Sequence, residues 1–301
     1  MATLLDFRRR IRSIKNTQQI TRAMKFVAAA RLRRAQERVI AARPYATQIL
    51  KVLRSAMSRG EQELTHPLLK VRPEKKLLVI VISADRGLCG AFNTNVLRKV
   101  AEFLKANQEK EIQFVAVGKR GRDSLRRLRF SIAAELFNVS MNVQFSHAKE
   151  IADLAIQKYT AEEVDGVYLI YNEFKNVIVQ RMVVMRLLPV EPEEIKGPGA
   201  RAEQAGEHGH APPATVDYIY MQPPGDIFNS LLPRYVESQV FRALLESAAA
   251  EHAARMTAMD AATNNAKDLI ESLTLHMNKV RQAAITKEII EVVSGAASAG
   301  A

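Results

Sequence analysis

The chain has 301 residues, of which 48% are hydrophobic and 25% are charged, with 44 basic and 32 acidic side chains and a formal net charge of +12. This composition supports one core plus extended helices, and no run approaches the roughly eighteen consecutive apolar residues of a membrane span. The single cysteine, Cys89, excludes an internal disulfide and is interpreted as a small buried thiol rather than a nucleophile.

The first sixty residues carry a seven-residue hydrophobic pattern. Alternate steps of three and four from Leu4 to Ala56 meet apolar residues at thirteen of sixteen positions, and the polar exceptions are Gln18, Thr21 and Lys25. This period predicts a coiled-coil helix over residues 1–59, with a local bend or interruption at Pro44. The Arg-rich start could be read as an organellar transit peptide, but the heptad pattern continues through it, so we interpret it as part of the helix. Because no presequence is then recognised, a bacterial source is favoured over an organelle.

The positive charge of the chain is concentrated in this helix. Residues 1–60 hold fifteen Lys or Arg and two acids, whereas the remaining residues hold 29 bases and 30 acids. Since fourteen of the fifteen bases lie outside the seam, we expect them to face outward. Nucleic acid, an acidic protein surface and plain solvent all fit such a face, but nucleic acid receives no support from aromatic residues, zinc-ligand spacing or a helix-turn-helix.

Residues 76–190 have α/β patterning. Short apolar runs predict strands, helical spacing predicts intervening helices, and an inserted Rossmann-like open sheet accounts for their order. The predicted strands are Leu77–Ile82, Ile112–Val117, Gly166–Tyr171 and Val177–Leu188, and the predicted helices are Thr94–Lys105 and His147–Tyr159.

Two loops of this α/β segment lie where phosphate-binding loops occur, yet they match neither GxxxxGK[ST] nor GxGxxG. Residues 83–90 are interpreted as a tight strand-to-helix turn in which Asp85 and Arg86 bond locally, and residues 118–121 as a solvated turn. An α/β enzyme is therefore the weaker alternative, and no cofactor is predicted. No metal site is inferred either, because only His208 and His210 lie close together in sequence.

Residues 191–224 have the Gly, Ala and Pro content of a flexible insert. A long helix is predicted over 225–294, with Asp226 as its N-cap, a bend or interruption at Pro233 and its end at Gly295. Its heptad seam from Leu245 to Ala284 is apolar at ten of twelve positions.

Because the two seams stand at opposite ends of the chain, the pattern favours an antiparallel intramolecular coiled coil with the α/β domain inserted between them. Two separate intermolecular coils are the alternative. A second apolar strip on the later helix needs its own cover: near Leu244 we interpret it as packing on the α/β domain, and at the far end as contacting something else. The strip comprises Leu244, Ala248, Leu269, Ile285, Ile289 and Val292.

Four motifs, taken in order, resemble those of the gamma subunits of F-type ATP synthases along nearly the whole chain. They are residues 14–30, residues 85–90, residues 234–239, and the paired C-terminal segments 255–266 and 278–286. The resemblance implies a non-catalytic rotor whose two long helices form a shaft inside a ring of alpha and beta subunits, while the α/β domain binds epsilon and the ring of c subunits. It also implies a peripheral position on the cytoplasmic face of a bacterial plasma membrane.

The same resemblance implies roles for individual residues. Met24 and Lys25 would meet acidic loops of the beta subunits. Arg281, Gln282 and Thr286 would engage a catch loop of a beta subunit, and the spacing of Gln282 and Thr286 places both on one helical face.

Overall fold

The computed structural model describes residues 4–59, 66–191 and 223–299. The elements are α1 (Leu4–Arg59), a 3-10 turn (Pro67–Leu69), β1 (Lys76–Ile82), α2 (Phe92–Ala106), β2 (Glu111–Val117), α3 (Lys119–Arg127), β3 (Ser131–Leu136), α4 (Phe145–Thr160), β4 (Gly166–Phe174), β5 (Gln180–Leu188) and α5 (Pro224–Ala299). The chain divides into two compact units, one of residues 1–30 with 255–301 and one of residues 31–254.

The second unit is built on a five-stranded sheet with the order β3-β2-β1-β4-β5. β1 pairs in parallel with β2 and β4, β2 pairs in parallel with β3, and β5 runs antiparallel to β4. Because parallel crossovers are right-handed, α2 and α3 cover one face and α4 the other. The central strand is buried on both faces, with no exposure from Leu77 to Val81, which explains its unbroken apolar run. The predicted Rossmann-like fold class is confirmed.

One helix and one strand of the α/β domain were not predicted from the sequence. Residues 119–127 form α3, although only Gly121 and Leu125 of that helix are buried, so its apolar signal is small. β3 is a short edge strand that is mostly half-exposed. The last two predicted strands are present with shifted bounds, because β4 continues through Asn172 to Phe174 and β5 begins only at Gln180.

The seam predicted for α1 is confirmed, because all sixteen of its positions are buried or half-buried. The helix is not interrupted at Pro44. Pro44 is exposed, and packing at Val39 and Ile49 on either side holds the helix through the single missing N–H bond.

α5 confirms its predicted seam in the same way, with all twelve positions buried or half-buried. Its predicted ends were wrong. Pro224 takes the first turn, where its missing N–H costs nothing, and Asp226 lies inside that turn. The helix passes Gly295 because the roughly 1 kcal/mol penalty of one glycine is small beside the propensity of the neighbouring alanines. Nor does Pro233 interrupt it.

Residues 192–222, which include most of the predicted insert and both His208 and His210, lie outside the described residues. Within the described ranges, no helix combines the length and apolarity needed to cross a membrane.

Candidate interaction surface

In the first unit, the start of α1 runs antiparallel to the later part of α5. Three contacts define the pairing: the ring centroids of Phe7 and His276 lie 5.1 Å apart with the rings tilted by 52°, the hydroxyls of Thr21 and Thr263 lie 2.9 Å apart, and Lys25 Nζ lies 2.6 Å from Asp260 Oδ1. As residue numbers rise on one helix they fall on the other. The predicted intramolecular antiparallel pair is therefore confirmed for this unit.

The polar positions of the α1 seam find partners on α5. Each hydroxyl also lies within hydrogen-bond distance of a carbonyl of its own helix, Thr21 of Gln18 and Thr263 of Met259. The two hydroxyl protons are therefore shared among these two carbonyl contacts and the contact between the two threonines. Polar pairs within an apolar seam favour one alignment of the helices at some cost in stability. Asp260 was missed as a partner of Lys25, although it stands one residue after the seam residue Met259 and faces the same helix.

The sequence-predicted contact residues fall into two separate groups. Met24 and Lys25 are half-buried, and Lys25 pairs with Asp260, whereas Arg281, Gln282 and Thr286 are exposed. Arg281 stands 21 positions beyond Asp260 on the same helix, so the groups are about 30 Å apart along the helix axis. The Thr286 hydroxyl donates to the Gln282 carbonyl at 2.9 Å, which satisfies it within its own helix.

The far end of α5 carries an uncovered apolar surface. Five aliphatic side chains there are 48% to 71% exposed: Ile285, Ile289, Ile290, Val292 and Val293. By contrast, Leu244 and Ala248, at the start of the same strip, are 2% and 4% exposed and line a small cavity with Ile82 and Val117 of the sheet. The packing of the start of the strip on the α/β domain is confirmed. The contact expected at its far end stays a prediction, which fits the rule that exposed apolar surface of this kind marks a contact site.

The basic face of α1 points outward as expected. Among residues 4–57, twelve basic side chains are exposed, and only Lys25 and Arg31 are half-buried. Arg33 pairs with Glu37, and Arg38 donates to Asn142 at 3.0 Å. Nine exposed cations have no ion-pair partner among the residues that the structure describes: Arg8, Arg9, Arg10, Arg12, Lys15, Arg22, Arg34, Arg43 and Lys51.

The start of α3 does not present the free N–H groups that a phosphate site would need. The N–H groups at the start of α3 are taken by the β1–α2 loop, since Lys119 donates to Asp85 Oδ1, Arg120 to the Ala84 carbonyl and Gly121 to Ser83 Oγ. Asp85 therefore bonds across to the next helix, and the prediction of a local bond was wrong. A helix N-terminus whose donors are already satisfied does not offer a phosphate site.

The predicted solvated turn at residues 118–121 was also wrong. Both glycines are buried against Ser83, and Gly118 has φ +95°. The cavity beside them has only about 10 Å³ for the centre of a water-sized sphere, which is room for about one water. The buried thiol of Cys89 is confirmed at 1% exposure, with Asn93 Nδ2 donating to it at 3.2 Å.

The paired long helices have a basic face and an uncovered apolar end. In the α/β domain, the N–H groups at the start of α3 are already bonded. These features define a coiled-coil interaction subunit rather than a nucleotide enzyme. The comparisons with known proteins agree with this class. The family model described as ATP synthase matches residues 3–299. The chain belongs to the ATP synthase gamma chain family, whose members are non-catalytic subunits.

Similar relatives cover the chain almost completely. The ATP synthase gamma chain of Solibacter usitatus is 49% identical over 99% of this chain and 100% of its own length. That of Pelotomaculum thermopropionicum is 48% identical over 99% of both chains.

Solved structures of central stalks share the fold. A chain of the Tetrahymena thermophila mitochondrial ATP synthase central stalk and c-ring has a TM-score of 0.58 and 28% identity, covering 81% of this chain and 99% of that one. A chain of the Euglena gracilis mitochondrial ATP synthase rotor has a TM-score of 0.62 at 20% identity, covering 94% and 98%.

Proposed function

We propose that this chain is the central-stalk rotor subunit of an F-type ATP synthase. It couples proton-driven rotation of a membrane c-ring to sequential conformational changes in three catalytic beta subunits, and it performs no nucleotide chemistry itself. Support comes from membership of the gamma chain family and from a solved structure, 28% identical, that is described as a central stalk with its c-ring. The observation that carries the proposal is the uncovered, unevenly charged surface of the paired helices.

The two paired helix segments differ in net charge. Residues 4–30 of α1 hold seven bases and one acid, a net charge of +6, whereas residues 255–294 of α5 hold five of each and are neutral. An asymmetric shaft cannot present the same surface to three equivalent neighbours at once, so each neighbour takes a different state. Rotation of the shaft then exchanges those states, because each orientation stabilises a different conformation of each neighbour.

The partners follow from this role. The basic face fits acidic loops of the beta subunits, which alternate with alpha subunits around the shaft. The exposed aliphatic end of α5 fits an apolar sleeve formed by the same ring. We assign epsilon and c-ring binding to the α/β domain, and a peripheral location on the cytoplasmic face of a bacterial plasma membrane.

Individual contacts are assigned on the same basis. Met24 and Lys25 approach the acidic loops, and Arg281, Gln282 and Thr286 engage the catch loop of one beta subunit. Arg281 makes the largest contribution, because an exposed guanidinium can bind a carboxylate through two parallel hydrogen bonds. Thr286 contributes less, since its hydroxyl proton is already donated to Gln282.

The test is a double substitution, Arg281→Ala with Gln282→Leu, in the assembled enzyme in membrane vesicles. We expect proton-driven ATP synthesis to fall several-fold, or assembly to weaken, while the chain itself stays folded, because both side chains are exposed and Arg281 has no ion-pair partner among the described residues. Lys279→Ala is the matched control, since it removes one exposed positive charge two positions earlier on the same helix. Unchanged ATP synthesis in the double variant would contradict the assignment.

A further inference from the structure

A small polar cavity lies between the sheet and residues 244–251 of α5. The cavity lies where β1 and β2 end, and its walls are Ile82, Val117, Leu244 and Ala248. Gly118 and Val139 also line it, together with five oxygen-bearing side chains: Ser83, Asp85, Ser140, Ser247 and Glu251. All of these residues belong to the second compact unit.

One group in this lining is incompletely bonded. Ser247 is 2% exposed, and its hydroxyl oxygen has no hydrogen-bond partner in the structure. Burying a hydroxyl without a partner is unfavourable, because the group loses its hydrogen bonds to water. Native proteins avoid that cost by bonding almost every buried polar side chain to protein or to ordered water.

The other polar side chains of the cavity are not equally available. The single proton of the Ser83 hydroxyl is already shared between the carbonyls of Val117 and Gly118, and its oxygen accepts from the Gly121 N–H. Asp85 uses one carboxylate oxygen, Oδ1, to accept from the Lys119 N–H at 3.2 Å. No described residue donates to its second oxygen, and Asp85 is one of the residues that line the cavity.

We propose that this cavity binds one ordered water molecule, which accepts the Ser247 hydroxyl proton and donates to the second carboxylate oxygen of Asp85. The space of about 10 Å³ for a water-sized centre is close to the minimum that one water requires, and the polar lining supplies at least two partners. The water joins α5 to the β1–α2 loop, the same loop that saturates the start of α3. The edge of the sheet at which related folds bind phosphate is thus closed by side chains and a single solvent molecule.

The experiment is a density map at about 2 Å resolution of the complete enzyme containing this chain. We expect a peak about 2.7–3.0 Å from both Ser247 Oγ and a carboxylate oxygen of Asp85, as water-mediated hydrogen bonds require. An empty cavity in that map would overturn the proposal. So would a peak about 2.0–2.6 Å from the carboxylate oxygens, because that distance identifies a bound cation.

Two substitutions make the test specific. In Ser247→Ala the water loses a partner, and we expect at least a several-fold loss of peak height. Ser238→Ala is the matched control, because Ser238 is also buried on α5 but donates to the Tyr235 carbonyl at 2.7 Å within its own helix. An undiminished peak in Ser247→Ala would show that Ser247 does not hold the water and would refute the proposal. The rotor assignment is unaffected by either result, since this cavity takes no part in the contacts proposed for the shaft.

Discussion

The N–H of Gly121 donates a hydrogen bond of 2.8 Å to the hydroxyl of Ser83, which connects the first turn of α3 to the end of β1. This bond requires the two backbones to approach closely. A β-carbon built on Gly121 would lie 2.6 Å from Ser83 Oγ, and one on Gly118 would lie 2.2 Å from the Ser83 carbonyl oxygen. The Gly118 contact is the more severe because it involves rigid backbone.

Gly118→Ala should therefore destabilise the α/β domain. The positive φ of residue 118 and the backbone clash together predict a loss of at least about 2 kcal/mol in the free energy of unfolding. Thermal unfolding of the full chain measures it. Gly225→Ala is the control, because nothing lies within 4 Å of the added carbon. Equal stability of the two variants would rule out close packing at Ser83.

The ion pair between Lys25 and Asp260 should couple the two helices energetically. Both side chains are more than a third exposed, so we expect a coupling free energy of only about 0.2–1 kcal/mol from a double-mutant cycle. Asp260→Lys alone should destabilise the helix pair through like charges. The exchange Lys25→Asp with Asp260→Lys should recover most of that loss in thermal unfolding, and a failure to recover it would mean that the pair does not form.

The apolar end of α5 should be needed for assembly rather than for folding. Ile289 is 58% exposed, so Ile289→Asp changes a mainly solvent-facing position, and we expect the stability of the chain to change by less than about 0.5 kcal/mol. Recovery of the assembled enzyme should nevertheless fall several-fold, because a carboxylate would enter an apolar contact. Glu288→Gln, at the exposed neighbouring position, should assemble normally. Normal assembly of Ile289→Asp would remove the support for an apolar sleeve.

Glu74 should make the stability of the α/β domain depend on pH. Burial raises the pKa of Glu74. Hydrogen bonds from Lys110 and Tyr168 and the charges of Lys110 and Arg186 lower it by more, so the net pKa lies below its usual value. A lowered folded-state pKa contributes stability that is complete above the unfolded value, near 4.5, and is lost as the pH falls through the folded value.

Glu74→Gln should accordingly lower the unfolding free energy at pH 7 by about 1–3 kcal/mol, since Lys110 and Arg186 lose their charged partner. The gap between the native chain and this variant should narrow as the pH falls below 4.5. Thermal unfolding between pH 3 and pH 7 measures the gap, with Glu150→Gln on the exposed side of α4 as control. A gap that stays constant with pH would mean that the Glu74 carboxylate is not stabilised in the fold.

The predicted and observed elements agree where the signal repeats. Leu77–Ile82 was predicted as a buried strand because an unbroken apolar run needs cover on both faces, and β1 has it. α3 was missed because its nine residues contain four arginines and one lysine, and its one large apolar residue, Leu125, cannot show a period. Its helical state depends on the cap supplied by Ser83 and Asp85, which stand 34 or more residues earlier.

By itself, the sequence determined which faces of the two long helices are buried, because a heptad pattern is a local property repeated over many turns. The partners of single polar groups were decided only by tertiary structure. Lys25 and Asp260 stand 235 residues apart in the chain and meet only when the helices pair. Hydrogen bonds and ion pairs act over about 3 Å, so the sequence shows which groups can form them, and the fold decides which groups do.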